Sequence, residues 1–404
     1  MRRVKAKNAY VTSRYACWVP LGRSGRGDDR VRPSPTSEDV PSHDRAGSTV
    51  HLPSLTGLRF LAALLVFGNH AGDAFLDPDS RINAVLQTGW VGVSFFFILS
   101  GFVLTWSHRP GDRPLAFYRR RAARIMPNHV VAWVIALVLF TVVIGESVDL
   151  LGAVASLVLM QAWHPSAEVH FVPVHAVAWT LSVEALFYAT FPYVRPLLAR
   201  LTNSHRRTAI AGMIFAVATV AALGYALSPH ERHWIIYVFP LARLPEFLLG
   251  ILLALELRDR RRSPVTPGVM FAAAMAAWVA CQAAPPPFQV AFVTLVPFAG
   301  LIMAAAAADV TGRRSSFRHT AMVRLGEWSF AFYLLHTVVL TAADHAIELS
   351  DRGPAFIAVG VPITLALSIA ASAALFTFWE RPLERRLRGP GRERRHPVPS
   401  ALAP

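Results

Sequence analysis

The chain has 404 residues, 54% of them hydrophobic and only 16% charged, with a mean hydropathy of +0.40. Charged side chains are costly in hydrocarbon, so this composition excludes a disordered chain and a water-soluble enzyme and points to a multi-pass membrane protein. The net charge of +15 would suit nucleic acid, but the 40 Lys and Arg residues alternate with apolar runs instead of gathering on one face or arm, so no nucleic-acid partner is expected.

In chain order, residues 1–50 lack an apolar signal region, are rich in Arg, Ser, Pro and Asp, and read as a solvated, disordered basic tail. A spanning helix needs about 20 mainly apolar residues. Such segments are predicted at 55–75, 89–106, 128–145, 177–198, 209–227, 235–255, 266–283, 288–308, 327–347 and 355–378. An eleventh apolar piece, 148–163, is short, and charge decides its status, because Lys and Arg near span ends collect on the cytoplasmic side. The segments 1–54, 107–127, 199–208, 256–265, 309–326 and 379–404 hold 34 of the 40 Lys and Arg residues. A crossing by 148–163 would put the Arg-rich 199–208 loop outside, so this piece reads as re-entrant or interfacial. The expected fold is therefore all-α: a polytopic membrane helical bundle of about ten transmembrane helices, both termini in the cytoplasm. A membrane domain over 51–387 would be followed by a cytoplasmic Arg- and Pro-rich tail, 388–404. Cys17 lies in the polar tail and Cys281 in an apolar run, so neither a disulfide nor a cysteine-based metal site is expected, and Cys281 reads as a small packing residue.

Ionisable groups inside spans are costly and face the bundle interior, which makes them the first place to look for function. Arg59 and His70 share the first span. Eleven residues at about 100° each come to about 1100°, close to three full turns, so both side chains leave the same helical face, roughly 16 Å apart along the axis. A cation near one membrane boundary and an imidazole deeper in suit a path that holds an anionic carrier at one end and runs chemistry at the other; on spacing alone, a snorkelling arginine and a packing histidine fit as well. Before the third span, Arg121 and Arg124 share a face if the segment is helical and offer two guanidinium forks to phosphate oxygens, as in a polyphosphorylated cofactor such as coenzyme A. As a positive-inside anchor they would need no such arrangement. Glu184 needs a cation, a proton or a donor network at its depth in the fourth span. Arg243 and Glu246, three residues apart, could neutralise one another or contact substrate, and Pro245 should distort their helix. His336 is a second imidazole in the membrane.

In this order the strings resemble the acyltransferase 3 family of integral-membrane acyltransferases. The resemblance rests on Leu55-Thr56-Gly57-Leu58-Arg59 with His70 closing an Arg-x10-His motif, Phe95 to Phe102, and Arg121-x-x-Arg124 followed by Ile125 and Pro127. It continues through Trp179 to Tyr188 around Glu184, Arg243 to Gly250, Gly326 to His336, and Glu380-Arg381-Pro382, and so covers residues 52–387. It implies transfer of an acyl group, acetyl foremost, from acyl-CoA to a hydroxyl of a carbohydrate, a glycolipid or a glycosylated metabolite such as a macrolide, in the cell membrane and without a metal. By the same resemblance His70 is the catalytic imidazole, assisted by Arg59 and Glu184. Arg59, Arg121 and Arg124 hold the donor's phosphates, and Arg243, Glu246 and His336 face the substrate. The chain departs from the family pattern at Thr56, where an acidic residue is frequent, and at Phe330, where Tyr is frequent. A proton-coupled transporter of a small polar solute, with His70, Glu184, Arg243, Glu246 and His336 as its relay, is the alternative from another functional class.

Overall fold

The computed structural model describes residues 50–388 apart from 78, 110, 166–172 and 349–353. The expected basic tail, except its last residue, and the Arg- and Pro-rich tail after Arg388 lie outside these residues. Among them the chain is all helix, with no strand.

The helices follow in order as α1 (Pro53–Phe75), α2 (Arg81–Gln87), α3 (Gly92–Trp106) and α4 (Pro114–Val138). Next come α5 (Leu150–Leu157), α6 (Trp179–Ala199), α7 (Asn203–Leu223) and α8 (Pro240–Arg260). The chain continues through α9 (Pro267–Ala280), α10 (Phe292–Val310), α11 (Thr320–Glu348), α12 (Pro354–Leu375) and α13 (Arg381–Arg388). Each of the ten predicted segments is helical. Six helical stretches are long and apolar enough to cross a membrane: Arg81–Trp106, Pro114–Ile144, Asn203–Ala226, His233–Arg260, Pro286–Val310 and Val359–Glu384. Pro267–Ala283 is apolar but shorter. The long helices outside this set, α1, α6 and α11, are those that carry Arg59, His70, Glu184 and His336. The piece at 148–163 is no span: α5 has eight residues, about 12 Å at 1.5 Å per residue, and a 3-10 turn at Gln161–Trp163 follows it.

The third predicted span begins earlier than its apolar run. α4 starts at Pro114 and carries Arg119, Arg120, Arg121 and Arg124 on the same rod as the apolar half, with Pro127 inside it. A proline removes one backbone bond. Here the helix continues through it.

Two helix pairs form the centre, α3 along α8 and α1 along α11. Both depend on glycines, since helix association inside a bilayer relies on close backbone approach more than on the hydrophobic effect. A Cβ on Gly101 would collide with the Phe247 carbonyl, and one on Gly250 with the Ile98 carbonyl. At the second pair, a Cβ on Gly57 would strike the carbonyl of Phe317, and one on Gly326 that of Thr56. At one end of α7 and α8, Arg206 bonds Asp259 at 2.5 Å and Arg260 bonds Glu256 at 2.5 Å, so the basic turns there are held by neighbouring acids.

The glycine contacts give a direct test. Gly250→Ala should destabilise the detergent-solubilised protein by roughly 1–3 kcal/mol, because the backbone at Ile98 has to move. Gly212→Ala, on α7 with open space around it, should be neutral or stabilising. Thermal melting followed by size-exclusion chromatography measures both, and equal melting temperatures would contradict the packing described.

Candidate active site

α1 is one uninterrupted helix, so Arg59 and His70 do lie on a common face about 16 Å apart along it. Two groups of polar side chains collect along this helix.

The first gathers around His70. Its ring lies 5.3 Å, centroid to centroid, from that of His336 on α11. His336 is fully buried. Its Nδ1 is 3.1 Å from the Phe332 carbonyl four residues back, and because a carbonyl only accepts, this bond places the proton on Nδ1. Aromatic rings hold the imidazole from several sides: Phe332 stacks on it at 5.7 Å, Tyr333 lies at 5.8 Å and Phe67 at 6.3 Å. Tyr333 in turn has its hydroxyl 3.0 Å from that of Thr180 at the start of α6. The sequence indicated two separate intramembrane histidines, and the close packing of α1 on α11 brings them together.

The second group gathers around Arg59. On α6, the Glu184 carboxylate accepts a hydrogen bond from the Ser100 hydroxyl of α3 at 3.2 Å and another from Tyr188, one turn further on. Arg59 and Arg124 lie within its electrostatic reach. Arg121, the other arginine of the α4 pair, places its guanidinium 5.5 Å from the centre of the Phe117 ring and interacts with Tyr188, Glu184 and Arg124. A second carboxylate closes the cluster: Glu380 accepts from the Asn128 side chain of α4 at 2.5 Å and interacts with Arg124 and Arg59. Glu384, one turn on from Glu380, lines the same small pocket as Arg124 and Asn128, so three guanidiniums and three carboxylates meet in this region. The Nε of Arg121 is buried and has no hydrogen-bond partner among the described residues.

The Arg243 and Glu246 pair stands apart from this cluster. Arg243 Nε is 3.0 Å from Glu246 Oε2, and both side chains are 1% exposed. Arg243 also donates to the Ser94 hydroxyl at 2.9 Å, and its guanidinium carbon lies 5.2 Å from the Phe97 ring centre and 5.8 Å from that of Tyr237. Each charge thus meets its opposite within the same helical turn, and aromatic faces cover the cation.

Ser100, Tyr188, Asn128 and Glu380 are members of the cluster that the choice of candidate residues missed. Tyr188 had a readable signal, one turn after Glu184 on the same face. So did Glu380, a carboxylate at the end of an apolar span directly before Arg381-Pro382. It lies in a π-helical turn, Phe376–Glu380, a wider turn that is frequent at functional sites. Ser100 and Asn128 gave none, since a lone polar residue in an apolar helix is ordinary.

Beside the histidines, an apolar cavity of about 610 Å³ follows α1, lined among others by Leu61, Leu65, Phe67, Met275, Phe298 and Val361. Phe67 belongs to both the cavity wall and the His336 surround. Among the described residues no group of three His, Cys, Asp or Glu side chains is placed to hold a metal ion.

The acyltransferase 3 model, described as an acyltransferase domain, matches residues 52–373. The chain is 36% identical over 384 residues to Acyltransferase MdmB of Streptomyces mycarofaciens, covering 88% of this chain and 96% of that protein. It is 27% identical over 317 residues to Exopolysaccharide production protein ExoZ of Rhizobium meliloti (strain 1021), covering 76% and 92%. No solved structure matches it. A polytopic helical membrane protein with this family match over most of its length, the chain belongs to the acyltransferase 3 family and is an acyltransferase.

Proposed function

We propose that the protein moves a short acyl group, acetyl foremost, from acyl-CoA to a hydroxyl of a carbohydrate, a glycolipid or a glycosylated small molecule. The observation that carries this reading is the division of polar groups along α1: a paired imidazole at one level and a cluster of three guanidiniums some 16 Å away. The distribution of Lys and Arg favours ten crossings with both termini in the cytoplasm, so that Arg59 faces the compartment that supplies acyl-CoA.

Arg59, Arg121 and Arg124 bind the donor's phosphates. Three guanidiniums gathered in one region fit an anion, and their planar forks fit phosphate oxygens. Glu184 and Glu380 hold the three arginines apart from one another and aimed. Coenzyme A supplies the thioester. His70 accepts the proton of the acceptor hydroxyl as its oxygen attacks the thioester carbonyl. The carbon–sulfur bond then breaks, and the proton passes to the leaving thiolate, giving ester and free thiol. His336, with its proton fixed on Nδ1 by the Phe332 carbonyl, holds the His70 ring at the acceptor. Arg243 and Glu246, already neutralised by each other, support the aromatic wall at Phe97 and act on the substrate only through it. The apolar surround limits water and with it hydrolysis of the thioester.

The experiment is acyl transfer by the purified protein in lipid nanodiscs, with isotopically labelled acetyl-CoA and candidate acceptors, read as a mass shift on the acceptor. His70→Ala should lower kcat by about 10²–10⁴-fold, the range for loss of a general base. Full activity in that variant would sink the mechanism, and flux of unmodified solute would replace it with transport. Arg121→Ala and Arg124→Ala should each raise the KM for acetyl-CoA about tenfold or more, as expected for loss of a charged hydrogen bond. Replacement by Lys should restore only part of that, because an ammonium lacks the fork. An unchanged donor KM in both alanine variants would remove these residues from the donor site.

A further inference from the structure

α1 carries both Arg59 and His70, yet it has no N-terminal cap of its own. Leu52 occupies the cap position without a side-chain bond, and Pro53 follows at the first helical position. The first amide available there belongs to Ser54, and unpaired amides at a helix start need an acceptor.

That acceptor comes from 255 residues further along. Asp309, the penultimate residue of α10, takes the Ser54 amide on Oδ2 at 2.8 Å and the Ser54 hydroxyl on Oδ1 at 2.8 Å. Ser54 is fully buried, and the Asp309 side chain is 1% exposed. On the other side, Arg318 places its Nε 3.5 Å from Oδ1. A carboxylate near the C-terminus of its own helix lies at the unfavourable end of that helix dipole, whereas at the N-terminus of α1 it lies at the favourable end. The placement is therefore better explained by α1 than by α10. The same turns of α1 are fixed by close backbone approach: Gly57 lies against the Phe317 carbonyl, and the Thr56 carbonyl lies against Gly326.

We infer that Asp309 is a positioning residue for Arg59: by capping α1 in trans it holds the first turns of that helix in place, and with them the reach of Arg59 to the acyl donor. This rests on the proposal that Arg59 contacts the donor's phosphates. Arg59 lies five residues from Ser54, about 7.5 Å along the axis, and His70 sixteen, about 24 Å. The far half of α1 is held separately by the packing of Phe67 and His70 against Phe332 and His336. Loss of the cap thus frays the first turns, within reach of Arg59, more than the turns around His70, so the damage falls on the donor more than on the acceptor.

The test is steady-state kinetics of the full chain in nanodiscs, with acetyl-CoA and a working acceptor varied in turn. Asp309→Ala should raise the donor KM about tenfold, since displacements on the order of 1 Å at a binding group are costly, and change the acceptor KM less than twofold. Asp309→Asn can keep both bonds, its carbonyl accepting from the Ser54 amide and its amide donating to the Ser54 hydroxyl, and should restore the donor KM to within about threefold of the parent. Ser54→Ala, which removes one bond, should fall between the two and carries the test if Asp309→Ala fails to fold. A fall in active fraction with both KM values unchanged in Asp309→Ala and Ser54→Ala would show a purely structural cap and overturn the inference, as would an Asn variant no better than Ala. Arg59→Ala separates the two levels. If it leaves the donor KM unchanged, the donor reading fails and takes this inference with it; if it raises the donor KM while the cap variants do not, only the inference fails.

Discussion

The central constraint is that guanidinium groups placed inside a bilayer protein need carboxylates, and the turns of α1 and α4 around Arg59, Arg121 and Arg124 offer them none. Arg59 on α1 and Arg121 and Arg124 on α4 meet Glu184 from α6 and Glu380 from the end of α12, with Ser100 of α3 and Asn128 of α4 holding the two acids. Taking one ion out of water costs several kcal/mol, and only paired, hydrogen-bonded geometry offsets that. Helices α1, α3, α4 and α6 and the turn after α12 therefore bring their polar groups to one region.

The contrast with Arg243 and Glu246 shows what that convergence adds. Those two residues neutralise each other within one turn of α8, under the Phe97 and Tyr237 rings, and close on themselves. The Arg59 cluster is spread instead over separate helices, with Ser100 of α3 and Asn128 of α4 holding its two acids.

What the sequence disclosed and what it concealed divide along physical lines. Anything fixed within one helix was legible: the helical segments follow from their apolar length, and the shared face of Arg59 and His70 and the possible neutralisation of Arg243 by Glu246 follow from 3.6 residues per turn. The shortness of 148–163 was legible from its length and from the charge on the following loop. Contacts between helices were not. Nothing in the order of residues says that His336 packs against His70, because that depends on Gly57 and Gly326 letting α1 and α11 approach to backbone contact. Asp309 was the most concealed, since its work is done at the start of a helix 255 residues earlier and its own surroundings are a run of alanines.

α1 can be regarded as a ruler. Its N-terminal end is pinned by Asp309 and by backbone contacts at Gly57 and Gly326, its next turn presents Arg59 to the guanidinium cluster, and its far half packs His70 and Phe67 against α11. A helix keeps the distance between two of its side chains constant to a degree that loops cannot, so an extended donor gripped by its phosphates at one mark would deliver its thioester near the other without further adjustment. The length of that interval, some 16 Å, then becomes a selectivity element in itself. A carrier much shorter than this, held by the same phosphates, would leave its acyl group short of the imidazole however well its anionic end was bound.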